Sequence, residues 1–370
     1  MSFEVQLAHS VTEVGPEAWD RLSGGRPFTS YRWYSFGEAV LADNTPIYII
    51  LHHQGEPVAR ATFWLRRQEA LPISSRLARR AVEIILRRWP LLLCVSPLAD
   101  ASGLILPDPP LRDEALRTIA QVALDQARQH RASFVGCVYL SEREAREAGW
   151  PRVFAAVDLP EPTTRLPITW SDFDSYVQQL PPAARKDYRR HRNRAADLGI
   201  EIEQRTPGTA IDEALTLIRN AERHHRSAFN PWARATLEHA PLVEGIWLTA
   251  EVQGRLAGCG LLLNDGVVWL MTLLGRDYAV PYAYFQLMYA AIRRAIESGA
   301  QALWGGTGAY DLKRRLGFHL VENHDYATFA GRGPLLQRLG RWIAADEESK
   351  VTDPYQAEDR DREEEQGGDK

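Results

Sequence analysis

The chain is poor in residues that signal covalent or metal chemistry. Its three cysteines, Cys94, Cys137 and Cys259, each sit alone in an apolar, strand-like run. No Cys-x-x-Cys pair occurs and no histidine lies at ligand spacing; His224 and His225 are adjacent and would point to different helix faces. A disulfide framework and a sequence-encoded metal site are therefore not expected, and the thiols read as buried and reduced. Neither Gly-x-Ser-x-Gly nor a cysteine beside a plausible histidine is present, so a covalent acyl-enzyme has no motif behind it. The N-terminus carries Glu4 and no apolar signal region, and no uncharged run reaches the length of a membrane span. A cytoplasmic location is expected, at most peripheral to the inner face of the membrane.

What is present suits two soluble domains. At 370 residues, with 45% apolar and 25% charged side chains, each half can bury its own core. Residues 346–370 hold eleven acids against four bases and almost nothing apolar. This end reads as an acidic, disordered tail, preceded by a short amphipathic helix at 333–345.

The most informative stretch is 267–318. A continuous apolar run at 267–274, bounded by Asp265-Gly266 and Gly275-Arg276, suits a buried strand. Pro281 opens a helix whose apolar positions Phe285, Met288, Tyr289, Ile292 and Ile296 recur at helical spacing, and Gly299 ends it. A short strand at 302–304 runs into Gly305-Gly306-Thr307-Gly308, and a brief helix ends at Lys313-Arg314-Arg315-Leu316-Gly317-Phe318.

This order, closing on Lys-x-x-Leu-Gly-Phe, resembles the acyl-donor half of the GNAT acyltransferase fold in its Fem-type branch. The resemblance implies an α/β (α+β) fold with two tandem GNAT-like domains, each a mixed central sheet flanked by helices. Expected boundaries are 1–160, with a basic insertion near 66–96, and 161–332. GNAT enzymes cradle the donor pyrophosphate in a glycine-rich turn before the long helix. Here that turn, 276–282, lacks the glycines, as Fem-type members often do. Gly275, Arg276, Tyr282, Ala283 and Tyr284, with Gly306 and Thr307, are the implied donor-binding residues. Where many GNAT enzymes place a tyrosine, five residues before the final phenylalanine, this chain has Lys313, which the resemblance makes the cation for an oxyanion or donor phosphate. Asp311 and Tyr310 are weaker candidates for proton acceptor and donor.

The first half repeats the second. Gln54-Gly55 is echoed by Gln253-Gly254, and Glu147-Ala148-Gly149-Trp150 by Arg315-Leu316-Gly317-Phe318. The longer first-half spacing matches an arginine-rich insertion. On a helix over 75–89, Leu77, Val82, Ile85 and Trp89 lie toward one side and Arg79, Arg80, Arg87 and Arg88 off it, which suits a solvated arginine face, an anionic membrane surface or contact with RNA. Residues 160–167 read as the crossover. Pro182 then starts a helix carrying Arg185, Lys186, Arg189 and Arg190, a candidate seat for phosphate on donor or acceptor.

Three readings follow. The first is an N-acyltransferase passing an acyl group from acyl-CoA to an amine by direct attack. The second is a Fem-like ligase using aminoacyl-tRNA, with a peptidoglycan precursor or peptide as acceptor. The third is a non-catalytic binding protein of the same fold. No metal is expected in any of them, and the acceptor is a small molecule or a cell-envelope precursor.

Overall fold

The structure, a computed structural model, describes residues 3–68, 80, 84–157, 162–207, 210–225, 227, 229–321 and 324–329. Two mixed sheets, each flanked by helices, organise the chain. The first contains β1 (Glu4–Ala8), β2 (Thr45–His53), β3 (Glu56–Arg66), β4 (Leu91–Cys94), β5 (Leu104–Ile105), β6 (Phe134–Leu140), β7 (Ala155–Val157) and β15 (His324–Phe329). Its order is β1-β2-β3-β4-β6-β15-β7, with β5 continuing the edge of β3. The second contains β8 (Thr163–Pro167), β9 (Ile200–Arg205), β10 (Ile246–Val252), β11 (Arg255–Asp265), β12 (Val268–Arg276), β13 (Ala302–Gly306) and β14 (His319–Val321), in the order β14-β8-β13-β12-β11-β10-β9.

The internal repeat is visible in the backbone. The β2–β3 turn at Gln54-Gly55 and the β10–β11 turn at Gln253-Gly254 both hold two consecutive residues at positive φ, the requirement of a tight hairpin that follows strand twist. Each half then has a parallel strand pair joined through a helix: β4 to β6 through Arg112–Gln129, and β12 to β13 through Ala283–Glu297.

Two expectations are corrected. Residues 163–167 are not a bare crossover but strand β8, held between β13 and β14, with Leu303 opposite Leu166. The strand His324–Phe329, assigned by sequence to the second domain, lies in the first sheet between β6 and β7. An alternating strand carries no mark of which sheet it will complete, since either apolar face can receive it. The predicted helix at 333–345 and the acidic tail lie outside the described residues, as does most of the helix expected over 75–89. Its described turn, 84–88, buries Leu86 (5% exposed) and leaves Ile85 outward (44%), a face rotated by one residue from the expected one.

The halves share a core. Trp33, Phe36 and Leu41 from the helix Tyr31–Val40 and its end pack in one apolar cluster with Trp247, Leu261 and Leu270 from the second half. Asp265 fixes the joint: the Phe28 amide donates to it at 2.5 Å, and the Ser30 hydroxyl donates to its other oxygen. Arg32 adds an ion pair to Glu244 at 2.9 Å.

Candidate active site between the two halves

The β12–β13 ladder is short. Pairing runs only from Val268–Ala302 to Leu270–Trp304, after which β12 continues to Arg276 bonded on one side, to β11. Among the described residues, the edge of 271–275 that faces β13 has no strand partner, so the two strands splay into a wedge. The helix Ala283–Glu297 begins beside this wedge, from Tyr282 in a left-handed conformation (φ 71) and with no side-chain cap.

On the β13 side, the chain leaves the sheet through the glycine loop. A side chain at Gly305 would strike Thr164 Oγ1 at 2.8 Å and the Phe318 ring at 3.0 Å, and Gly306 sits at φ +68. Glycine is thus required by close packing and by backbone conformation. The helix Tyr310–Arg315 folds back under this loop and buries Lys313 to 2% exposure. Its ammonium donates to the carbonyls of Gly306 at 3.2 Å and Thr307 at 2.8 Å. A buried ammonium carries a large desolvation cost and is tolerated here because carbonyls receive its protons. Lys313 is therefore not a solvated surface side chain.

Sequence reasoning missed Asp100. It sits in the loop that follows β4 and reaches across to the second half: Thr163 Oγ1 donates to its Oδ2 at 3.0 Å, and that same oxygen lies 3.9 Å from where a Gly306 Cβ would be. Burial pushes its carboxyl above the ordinary range, while hydrogen bonds from Thr163 and Tyr139 and the Lys313 charge pull it back. A carboxylate and an ammonium thus meet at the glycine loop, one from each half. Lysine scarcity could have sharpened the search: only four lysines occur, Lys186, Lys313, Lys350 and Lys370, so one in a buried segment stands out.

Asp100 also lines a cavity of about 210 Å³ between the halves. Arg66, Ser96 and Tyr139 come from the first half; Asn230, Trp232, Thr236 and Thr272 come from the second. It lies on the face of β12 opposite to the long helix, since Thr272 and Leu273 line it while Met271 packs with Leu287 and Met288.

The other expected residues distribute as follows. Tyr310 donates its hydroxyl to the Pro162 carbonyl at 2.9 Å, and Asp311 is paired with Arg314, so both are engaged in holding the short helix. Gly275 faces the helix Ile211–His224, where a Cβ would lie 2.5 Å from the Ile218 nitrogen; its need is packing. Arg276 lies 4.2 Å over the Tyr278 ring and 5.8 Å from that of Tyr284, and His224 stacks on Tyr278 at 3.8 Å, forming a cationic and aromatic wall near the helix start. Ala283 is fully buried. Thr307 is exposed.

The helix Pro182–Asp197 packs on the long helix through His191 against Phe285 (3.8 Å) and Tyr188 against Tyr289 (4.9 Å). Burial, with Arg190 nearby, drives His191 down to about 4, so it is neutral at ordinary pH. Lys186, Arg189 and Arg190 are exposed, whereas Arg185 donates to the Gln178 carbonyl at 2.6 Å. Asp187 joins this helix to the Lys313 helix through Arg315 at 3.8 Å.

The FemAB-like family, described as peptidoglycan biosynthesis/recognition, matches residues 10–361. No curated protein matches the sequence. Among solved structures, FemX superposes with a TM-score of 0.59 at 11% identity, covering 90% of this chain and 99% of that one. The C-terminal domain of a putative lysylphosphatidylglycerol synthetase from Agrobacterium fabrum follows with 0.51 at 11%, covering 87% and 93%. A tandem GNAT protein from the clavulanic acid biosynthesis pathway gives 0.50 at 12%, covering 89% and 100%. At such identities the likeness is one of fold, and it confirms the tandem GNAT architecture. By its match over nearly the whole length, the chain belongs to the FemAB-like family, and its fold is the tandem GNAT fold.

Proposed function

We propose that the protein is an N-acyltransferase that moves an acyl group from acyl-CoA to an amine held in the cavity between the halves. The open edge of β12 carries this reading. Backbone groups without a strand partner suit a donor arm built from amides, which can pair with them as an added strand would. The uncapped start of the helix Ala283–Glu297, with Arg276 beside it, then faces the donor phosphates. In the reaction the neutral amine attacks the thioester carbonyl, the C–N bond forms, the C–S bond breaks, and the thiolate takes up a proton. Asp100 receives the amine proton, and the Lys313 charge at the glycine loop favours both the ionised Asp100 and the developing oxyanion.

One observation favours aminoacyl-tRNA as the donor instead: the exposed Lys186, Arg189 and Arg190 form a cationic face on a helix tied to the Lys313 helix. Calorimetric titration of the full chain with CoA, and separately with an aminoacylated tRNA acceptor-stem hairpin, decides between them. Saturable CoA binding is expected; hairpin binding without CoA binding would move the assignment to the tRNA-dependent ligase.

Exposed Ile84 and Ile85, beside exposed Arg80, Arg87 and Arg88, support a further element, contact with an anionic membrane surface. This would bring the site to cell-envelope precursors. No described helix is long and apolar enough to cross a membrane.

A further inference from the structure

Strand β6 carries a bulge where it meets the candidate site. Cys137 and Leu140 face Tyr326 and His324 of β15, so two residues of β6, Val138 and Tyr139, stand against a single residue of β15, Asp325. Tyr139 takes a left-handed backbone (φ 56), a costly state for a bulky side chain that persists only where its surroundings impose it. Two carboxyl groups hold it there. Its amide donates to Asp325 Oδ1 at 2.9 Å, and its phenol donates to Asp100. Bulges re-aim side chains beside functional sites, and this one brings Tyr139 to the wall of the cavity between the halves, where Asp100 also lies.

We infer that Asp325 is a positioning residue for Asp100: by holding the Tyr139 amide it fixes the bulge, and the bulge keeps the Tyr139 phenol on the Asp100 carboxylate. For its purpose the inference rests on the acyl-transfer reading, in which Asp100 takes the amine proton. A base already protonated at the working pH cannot do so. Burial opposes an ionised Asp100, and Thr163, Tyr139 and the Lys313 charge oppose that burial. Thr163 and Lys313 both belong to the second half, and the Lys313 ammonium is already committed to the Gly306 and Thr307 carbonyls. Tyr139 is the donor that the first half supplies. The return of the chain into the first sheet then serves the site, because β15 delivers Asp325 to the bulge. Arg66 is the other charge lining the cavity with Asp100. Around Asp325 stand Cys137 on β6 and, lining a separate cavity of about 140 Å³, His324, Glu142 and Arg146.

The test reads Asp100 directly. In the full chain with carbon-13-labelled aspartate, the Asp100 carboxyl resonance, assigned through Asp100→Asn, is titrated by NMR in the parent and in Tyr139→Phe, Asp325→Ala and Asp325→Asn. Tyr139→Phe should move the midpoint up by about one pH unit, the size of effect expected for one hydrogen bond to a charged group. Asp325→Ala should match that shift, and adding Tyr139→Phe to it should move the midpoint no further. Asp325→Asn removes the same charge but keeps an acceptor oxygen for the amide, so its midpoint should stay with the parent's. An unmoved midpoint in Tyr139→Phe or in Asp325→Ala overturns the inference, as does an Asp325→Asn that behaves like Asp325→Ala. If Asp325→Ala fails to fold, Asp325→Leu, which fills the space without an acceptor, takes the same measurement with the same expected shift. The pH profile of kcat/KM for acyl transfer, measured on the same proteins, separates this inference from the reading beneath it. Its acid limb should follow the NMR midpoint in every variant. Midpoints that move as expected with no transfer in any protein would leave the positioning of Asp100 standing and remove the acyltransferase. Transfer in every variant, with midpoint and acid limb both indifferent to Tyr139, would do the reverse.

Discussion

The two halves begin from the same plan, a parallel strand pair that splays at one end, and they put the splay to different uses. In the second half a short turn, 277–282, leads from β12 straight into the long helix, and the edge of β12 remains open. In the first half β4 stops at Cys94, opposite Cys137 of β6, and a longer loop occupies the corresponding place. That loop is fastened on all sides: the Trp33 indole donates to the Pro97 carbonyl at 2.9 Å, Ser96 Oγ donates to the Phe28 carbonyl at 2.6 Å, and a side chain at Gly103 would lie 2.3 Å from Thr62 Oγ1. Tyr139, on β6 beyond the splay, bonds to Asp100 at its tip. A duplicated wedge has thus kept its opening in one copy and become a mount for a carboxylate in the other.

If that division is right, the largest effect comes from removing the carboxylate. Asp100→Asn keeps the shape and the hydrogen bond from Thr163 but cannot accept the amine proton, so kcat should fall by about 10²–10⁴ while CoA affinity is unchanged. Steady-state kinetics alongside CoA titration would show it. Equal losses in both would mean that the loop supports donor binding as well, and the comparison of the halves would fail.

Lys313→Ala should lower kcat by roughly 2.7–4 kcal/mol in barrier terms. Because the ammonium is buried and serves the Gly306 and Thr307 carbonyls, the variant should also melt earlier, by an amount reflecting about 1–3 kcal/mol for acceptors left unpaired. Melting curves and turnover measured on one preparation separate the two. A variant with unchanged turnover would leave Lys313 with a loop-holding role alone.

Much of this arrangement was legible in the sequence and some was not. Lys-x-x-Leu-Gly-Phe located the buried Lys313 because Gly317 (φ +88) and Phe318 are needed where the short helix ends, and glycine leaves a mark that can be read locally. Gln54-Gly55 and Gln253-Gly254 announced the repeat for the same reason. Asp100 left no such mark: an aspartate between small residues in a loop looks like solvent-facing polarity, and its importance arises only when Thr163 and Gly306 are brought to it. Strand β15 was also hidden, since its partner β6 lies in the other half of the chain and no local pattern points there.

That exchanged strand gives the next test. Asp325 on β15 is 5% exposed and accepts the Tyr139 amide at 2.9 Å; burial raises its carboxyl to about 7, against an ordinary 3.8. The native state therefore binds the proton more tightly than the unfolded chain. Its contribution is fully present below about pH 4 and is lost as pH rises through about 7. Asp325→Asn cannot ionise, so it should be more stable than the parent at pH 8, by at most about 4 kcal/mol for three pK units, and nearly equal to it at pH 4. Urea unfolding at the two values is the measurement. A variant less stable at both would mean that the ionised carboxylate is satisfied in the fold and that β15 is not held in this way.

The smallest effect concerns the one segment that has no counterpart in the second half. Between β3 and β4 the described turn 84–88 buries Leu86 and exposes Ile84 (65%) and Ile85 (44%), with Arg80, Arg87 and Arg88 exposed around them. A solvated surface helix would have no use for two isoleucines facing outward, whereas an anionic bilayer interface takes both the apolar pair and the cations. Each basic residue near such a surface contributes about 1 kcal/mol, falling with salt. Changing Arg80, Arg87 and Arg88 together to Gln should therefore weaken vesicle binding by about 3 kcal/mol at low salt and leave the melting temperature nearly unchanged, since none of the three is buried. Co-sedimentation with phosphatidylglycerol vesicles at low and high salt would reveal it. If the unaltered protein fails to sediment even at low salt, the insertion is a solvated surface element, and the two halves differ only in how they use their wedges.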